Sequence, residues 1–265
     1  MSGIIDSVGS RSGIIGKTEQ HNDGFTPINV GNVDKPGLGP YAVDKWTRVL
    51  IHSDTTDGDD YFIDSATGNS IRSNGAEHKT TQKKMGKTSI RFEGSDTLVV
   101  MNPHNVYPAA FGNFTVDCWI RMDNATAGNQ ALAQMHHSDT NSFAWGIDGS
   151  NMQMQEDRDN TIFDAAHGMS NDTWYHVALC AYEDGTEWRG YVNGVLKATS
   201  SSSYNLINSG SASNETPFRI GPIDNDFGSG TSGNFVGYVD EYRISWGIAR
   251  WPTTENVGTT VFNVH

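Results

Sequence analysis

Residues 174–198 read WYHVALCAYEDGTEWRGYVNGVLKA, and this stretch decides the fold. Three runs rich in β-formers, Trp174–Tyr182, Thr186–Val192 and Val195–Ala198, are separated by Glu183-Asp184-Gly185 and by Asn193-Gly194. An Asn-Gly pair between such runs predicts a type I′ hairpin, because that two-residue turn needs positive φ at both positions. The spacing therefore predicts an antiparallel meander. Its first strand is apolar at both parities, with Trp174, Ala178 and Cys180 alternating against Tyr175, Val177 and Leu179. Such a strand is covered on both faces, which places it in the interior sheet of a sandwich.

The same pattern extends outward on either side. WTRVLIH (46–52) and YFID (61–64) flank an acidic loop at 53–60, while SIRFEG (89–94) and TLVVM (97–101) flank Ser95-Asp96 and read as a second hairpin. FTVDCWIR (114–121) alternates, with Phe114, Val116, Cys118 and Ile120 on a buried face and Thr115, Asp117, Trp119 and Arg121 on a wetter one. ALAQMHH (131–137), SFAWGID (142–148), MQMQ (152–155), TIFDAA (161–166), PFRIG (217–221) and FVGYVDEYRIS (235–245) complete the set. Roughly a dozen short strands, with turns every 8 to 12 residues, predict an all-β sandwich or barrel. No segment carries a helical period.

Composition bounds the function. A net charge of −13 argues against a nucleic-acid binder, which needs a basic face to displace counterions from phosphates. The acidity fits a cation-binding protein or one that is simply soluble. Cys118 and Cys180 lie inside strand-like runs, as buried free thiols or as one bridge. The N-terminus lacks a charged head followed by an apolar run, and no stretch approaches a membrane span. The expectation is a soluble product made in the cytoplasm, with no signal peptide and no membrane insertion.

Residues 1–42 differ from the rest: they are rich in Gly and Ser and lack periodicity, but they repeat Ser2-Gly3-Ile4-Ile5 as Ser12-Gly13-Ile14-Ile15. Paired isoleucines in a polar segment are too few for a core. Two readings stand: a disordered leader, or an anchor whose Ile4, Ile5, Ile14 and Ile15 order on a partner.

Several segments in order resemble the concanavalin A-like lectin/glucanase superfamily, specifically its laminin-G-like domains. The matching pieces are Val49-Leu50-Ile51-His52 with Asp54, Phe92-Glu93-Gly94, Phe114–Ile120, Trp174–Ala178, Tyr191–Gly194, Phe218–Gly221 and Gly237–Ser245 followed by Gly247–Arg250. The resemblance covers about 43–257 and implies a jelly-roll sandwich of two antiparallel sheets, leaving 1–42 as an arm and 258–265 as a tail. The leader SGIIDSVGSRSGIIG also resembles that of marine tailed-bacteriophage virion proteins. That likeness implies a virion protein whose partners are capsid or tail proteins reached through the arm, with a homotrimer among the assemblies it allows. Fold alone assigns no activity.

A glucanase would need two carboxylates on one strand face, flanking the scissile bond. No strand carries that spacing; Asp240 and Glu241 are adjacent and so point to opposite faces, and no catalytic residue is assigned. The resemblance implies a structural Ca2+ between the opening strand and the closing Asp-Glu pair, with Asp54 and Asp240 as ligands; the alternative is a solvated loop. His136 and His137, neighbours in one strand, cannot chelate one ion together. For a sugar, Trp119, Trp145 and Trp188 are candidate stacking surfaces, beside Asp148 and Asn151, with core packing as the competing reading. The glycine-rich loop 221–233 has no following helix and is no phosphate cradle. The reading that emerges is a non-enzymatic virion protein displaying a lectin-like domain. A carbohydrate-binding module for host-surface glycans is the alternative, and a glycoside hydrolase is a remote third.

Overall fold

The computed structural model describes residues 43–101, 112–138, 141–156, 160–182, 185–201, 217–221 and 234–251, and for 136–138 and 141–142 the backbone alone. The arm with Ile4, Ile5, Ile14 and Ile15, the tail 258–265, the loop 222–233 and the side chains of His136 and His137 lie outside that description.

Fifteen strands and no α-helix are present among the described residues: β1 (Thr47–Ile51), β2 (Ile71–Asn74), β3 (Glu77–Lys79), β4 (Ser89–Glu93), β5 (Thr97–Val100), β6 (Phe114–Met122), β7 (Gln130–Ser138), β8 (Asn141–Asp148), β9 (Asn151–Glu156), β10 (Asn160–Ala166), β11 (Trp174–Tyr182), β12 (Glu187–Val192), β13 (Val195–Ser200), β14 (Phe218–Ile220) and β15 (Val236–Trp246). They make two antiparallel sheets. An eight-stranded sheet runs β13-β12-β11-β6-β15-β4-β3 with β1 also paired to β15, and a seven-stranded sheet runs β10-β9-β8-β7-β14-β5-β2. This is the jelly-roll sandwich the resemblance implies.

The meander is β11, β12 and β13, and Asn193 (φ 47°) and Gly194 (φ 74°) both take the positive φ their turn demands. Phe114, Val116, Cys118 and Ile120 of β6 fill the space between the sheets, with Val177 and Leu179 beside them and Leu132, Trp145 and Met154 from the facing sheet. The outer face of β11 is covered as well. Ala178, Cys180 and Tyr182 pack with Tyr191, Ala249 and Trp251, so the cover is the chain segment that follows β15 rather than another sheet. Cys118 faces the core and Cys180 faces this outer layer; the sheet separates the two thiols, and both are free. Burial pushes the Cys180 thiol up to about 11.

Three local expectations change. β4 and β5 do not form a hairpin: β4 pairs with β15 and β3, β5 with β14 and β2, so residues 94–96 carry the chain from one sheet to the other. At that corner a Cβ on Gly221 (φ 90°) would sit 2.3 Å from the Asp96 carbonyl oxygen, so only glycine fits there. YFID contributes isolated bridges, Ile51 to Asp64 and Ile63 to Ser70, not a strand. Thr115 and Asp117 lie on a covered face, not a wet one, because residues 248–251 close over them; Thr115 Oγ1 donates to the Ile248 carbonyl at 3.0 Å and accepts the Arg250 N–H at 3.1 Å.

Candidate functional site

Strand register places Arg91 of β4, Tyr238 of β15 and Arg121 of β6 side by side on the outer face of the eight-stranded sheet. Alternation turns their neighbours Ile90, Val239 and Ile120 into the core, so the polar partners must face outward. The Tyr238 ring lies between the two guanidinium groups, 4.9 Å from Arg91 and 5.8 Å from Arg121, and its hydroxyl meets Thr81 at 3.1 Å. Arg91 donates to Asp123 at 2.8 Å and Arg121 to Asp172 at 2.9 Å. Together with Asp57, Lys79, Gln82 and Glu93 these side chains line an open cleft of about 450 Å³. Its floor is an aromatic ring held by paired charges, and its walls offer donors and acceptors of both signs.

One row further along the sheet, Asp240 sits opposite Trp119, and Trp119 opposite His176. Here β15 carries a bulge, with Glu241 at φ 52°, where the strand on its edge changes from β4 to β1. The bulge cancels simple alternation, so Asp240 and Glu241 are both buried. Asp240 accepts the N–H groups of Lys84 and Met85, each at 2.9 Å, and Glu241 meets His52 at 2.7 Å. Burial pushes the Asp240 carboxyl up to about 7; the Glu241 charge adds to that rise and the backbone bonds oppose it. Asp54 accepts the Lys87 N–H. The two carboxylates proposed as calcium ligands thus pin both ends of one loop, 84–87, by accepting its amides. Among the described residues no three His, Cys, Asp or Glu side chains gather as a metal would require, and this donor set does not fit a cation that needs many oxygens.

The following row is structural. Asp117, fully buried, accepts two bonds from Arg243 at 2.9 and 2.8 Å and lies 3.3 Å from His176. Burial alone would raise its pKa, but the Arg243 charge and the His176 contact hold it down to about 2. Burial keeps His176 below its ordinary value, so Arg243 supplies the countercharge. At the far end of β15, Arg250 donates to both oxygens of Asp44 at 3.0 Å and to Ser245 at 2.7 Å.

The residues named for sugar binding do not converge. Trp145 and Trp188 lie wholly inside the core between the sheets, so neither can stack on a ligand; large aromatics on inward positions are core residues here. Asp148 and Asn151 flank the β8–β9 turn of the seven-stranded sheet, where Asp148 accepts the Asn129 N–H at 3.2 Å. Trp119 alone faces outward, half-buried, on the other sheet. Sequence reasoning missed Arg91, Tyr238 and Arg121, each of which reads singly as the polar position of an alternating strand; only the pairing of β4, β15 and β6 unites them. It also missed a polar row on the outer face of the seven-stranded sheet, where Arg219 pairs with Gln134, Gln134 with Ala144 and Ala144 with Gln155. Gln134 is 0% exposed, and neither its amide nitrogen nor its amide oxygen has a hydrogen-bond partner.

A family model described as the concanavalin A-like lectin/glucanases superfamily matches residues 92–250, more than half of the chain. No curated protein sequence matches the chain. Among solved structures, domain 4 of the GH43 extracellular arabinanase AbnA from Geobacillus stearothermophilus, in complex with arabinotriose, aligns with TM-score 0.57 at 14% identity, over 77% of this chain and 94% of that one. The binding domain of botulinum neurotoxin DC, in complex with rat synaptotagmin II, aligns with TM-score 0.57 at 12% identity, over 84% and 51%. Botulinum neurotoxin type C, whose uptake by cells depends on two ganglioside molecules, aligns with TM-score 0.56 at 14% identity, over 82% and 51%. The chain therefore spans about half the length of each of these neurotoxin chains. At these identities the likeness is one of fold.

Proposed function

The chain belongs to the concanavalin A-like lectin/glucanase superfamily, and from that premise we propose that it is a non-enzymatic, glycan-binding module displayed on a phage particle. The observation that carries the reading is the placement of the cleft relative to the chain's attachment. Tyr238, on the cleft floor, lies near the start of β15; Ser245, at its end, is held by Arg250, which also clamps Asp44, the point where residues 1–42 join the body. Seven residues of strand separate them by roughly 20 Å. An arm fixed to a particle at one end of the sheet would present the cleft at the other.

The cleft suits recognition better than hydrolysis. Asp123 and Asp172 are bound by arginines, and the Asp57 carboxylate is held below its ordinary range by the Thr80 N–H and hydroxyl. A carboxylate held as Asp57 is lacks the proton a glycosidase acid donates to a leaving group, and Asp123 and Asp172 are taken up by their arginines. An aromatic floor with convergent donors and acceptors fits a polyhydroxylated ligand. The neighbours bound to arabinotriose or dependent on gangliosides make host-surface glycans the ligand class to try first.

Two experiments test this. A glycan array probed with the full chain should show binding that Arg121→Ala abolishes; a blank array counts decisively against the glycan reading. Deleting residues 1–20 should prevent incorporation into particles, and incorporation of the truncated protein overturns the anchoring half.

A further inference from the structure

We propose that Trp119 is a stacking platform for a sugar ring, held beneath the side chain of Lys84 and continuous with the Arg91–Tyr238–Arg121 cleft. The inference rests on the glycan reading above and names a subsite within it. Trp119 stands two residues before Arg121 on β6, on the same outward face, and opposite Asp240 as Arg121 stands opposite Tyr238. It is the next rung of the row that forms the cleft floor. Gln82 lines the cleft wall, and the chain then turns over Trp119, where the Lys84 ammonium lies 4.1 Å from the indole centroid.

What covers the indole is separable from what holds the loop. The backbone is pinned from beneath by Asp240, which accepts the Lys84 and Met85 N–H groups, and by Asp54 at Lys87. The Lys84 side chain is exposed, and its flexible stem can swing into solvent while those bonds stay intact. An exposed ammonium over an indole is a weak contact, and a sugar's C–H face uses the same electron-rich surface. The buried His176 ring packs against the indole at 76°, with ring centroids 5.4 Å apart, so one side of the platform is backed by the sheet itself. A bound oligosaccharide would stack one ring on Trp119 and extend the next toward Arg121 and Tyr238.

The test is an array of hexose and N-acetylhexosamine oligosaccharides, probed with the full chain and three variants. Lys84→Ala should strengthen the signals by about 2- to 5-fold, the removal of one competing exposed cation–π contact. Trp119→Ala should weaken them by about 3- to 10-fold, the loss of one aromatic stacking contact. Trp119→Phe, which keeps a ring in place, should give a smaller loss and serves if the alanine variant does not fold. Acrylamide quenching without ligand should rise in Lys84→Ala, and Trp119→Phe introduced into that variant should cancel the rise. Signals that Arg121→Ala abolishes but both Trp119 variants leave intact overturn this inference alone. An array blank for the full chain and for Lys84→Ala overturns it together with the glycan reading.

Discussion

The Asp44 carboxylate and the Arg250 guanidinium meet through two hydrogen bonds of 3.0 Å, joining residues 206 positions apart in the chain. The same guanidinium reaches Ser245 and Thr47, and the Arg250 N–H reaches Thr115. One residue thus ties the start of β1 to the end of β15 through its side chain, and the covering segment to β6 through its backbone. A bidentate pair of this kind has geometric specificity that a single lysine contact lacks.

Breaking that clamp should be costly from either side, and more so from the arginine. Arg250→Ala is expected to lose about 2–4 kcal/mol and Asp44→Ala about 1–2 kcal/mol, because the arginine serves several partners and the half-exposed aspartate is partly screened. A double-mutant cycle by chemical denaturation should return a coupling of about 1 kcal/mol or more. Additive losses would show that the two groups do not support each other.

Two buried carboxylates on neighbouring rows should give stability opposite pH dependences. Asp117 is depressed to about 2 from 3.8, so its contribution is complete above pH 3.8 and is lost as pH falls toward 2. The shift corresponds to roughly 2 kcal/mol. Asp240 is raised to about 7, so its contribution is complete below pH 3.8 and is lost as pH rises through 7. Thermal unfolding of the parent should therefore peak between these limits. Asp240→Asn keeps an acceptor for the Lys84 and Met85 amides without a charge to bury; it should flatten the alkaline fall and gain about 1–3 kcal/mol at pH 8. Asp117→Asn should cost about 3–5 kcal/mol at pH 7, because Arg243 is left without its countercharge. An unchanged alkaline slope in Asp240→Asn would refute the assignment.

The meander could be read from the sequence because its signals are local: Asn193-Gly194 dictates one turn, and the apolar parities of β11 dictate two covers. What lies over the outer cover, Ala249 and Trp251, is remote in the chain and has no periodicity to announce it. The β4–β5 connection misled because a Gly-Ser-Asp turn serves a hairpin and a change of sheet equally well. Asp240 and Glu241 misled because a single left-handed residue breaks the two-residue repeat. The cleft was invisible because Arg91, Arg121 and Tyr238 come from three strands joined only by register. Trp119 was identified correctly as an outward indole, whereas Trp145 and Trp188, chosen on the same pattern, belong to the core.

Trp188 has no surface role open to it, so its replacement tests packing alone. Its ring is fully buried, tilted against Phe143 at 6.2 Å and edge-on to Phe114 at 6.5 Å. Trp188→Ala should cost about 3–5 kcal/mol, the usual loss for a core tryptophan. Trp119→Phe, on the outer face, should cost under about 1.5 kcal/mol. Equal losses in denaturant titrations would mean that the covering loop makes Trp119 a core residue in all but position.

Among the described residues, Gln134 is the buried amide with both of its polar atoms unbonded. It is wholly enclosed on the outer face of the seven-stranded sheet, its amide donates to nothing and accepts nothing, and Oε1 of Gln153, on the same face, is likewise unsatisfied. A buried amide without partners costs about 1–3 kcal/mol, so a side chain of similar shape that carries no amide should relieve it. Gln134→Met is therefore expected to raise stability by about 1–2 kcal/mol, read from the denaturant midpoint at unchanged slope. Gln134→Ala, which removes the amide but leaves a void, should be neutral or destabilising, which separates polarity from volume. If the methionine variant loses stability instead, the amide is satisfied in solution by something the strands do not supply.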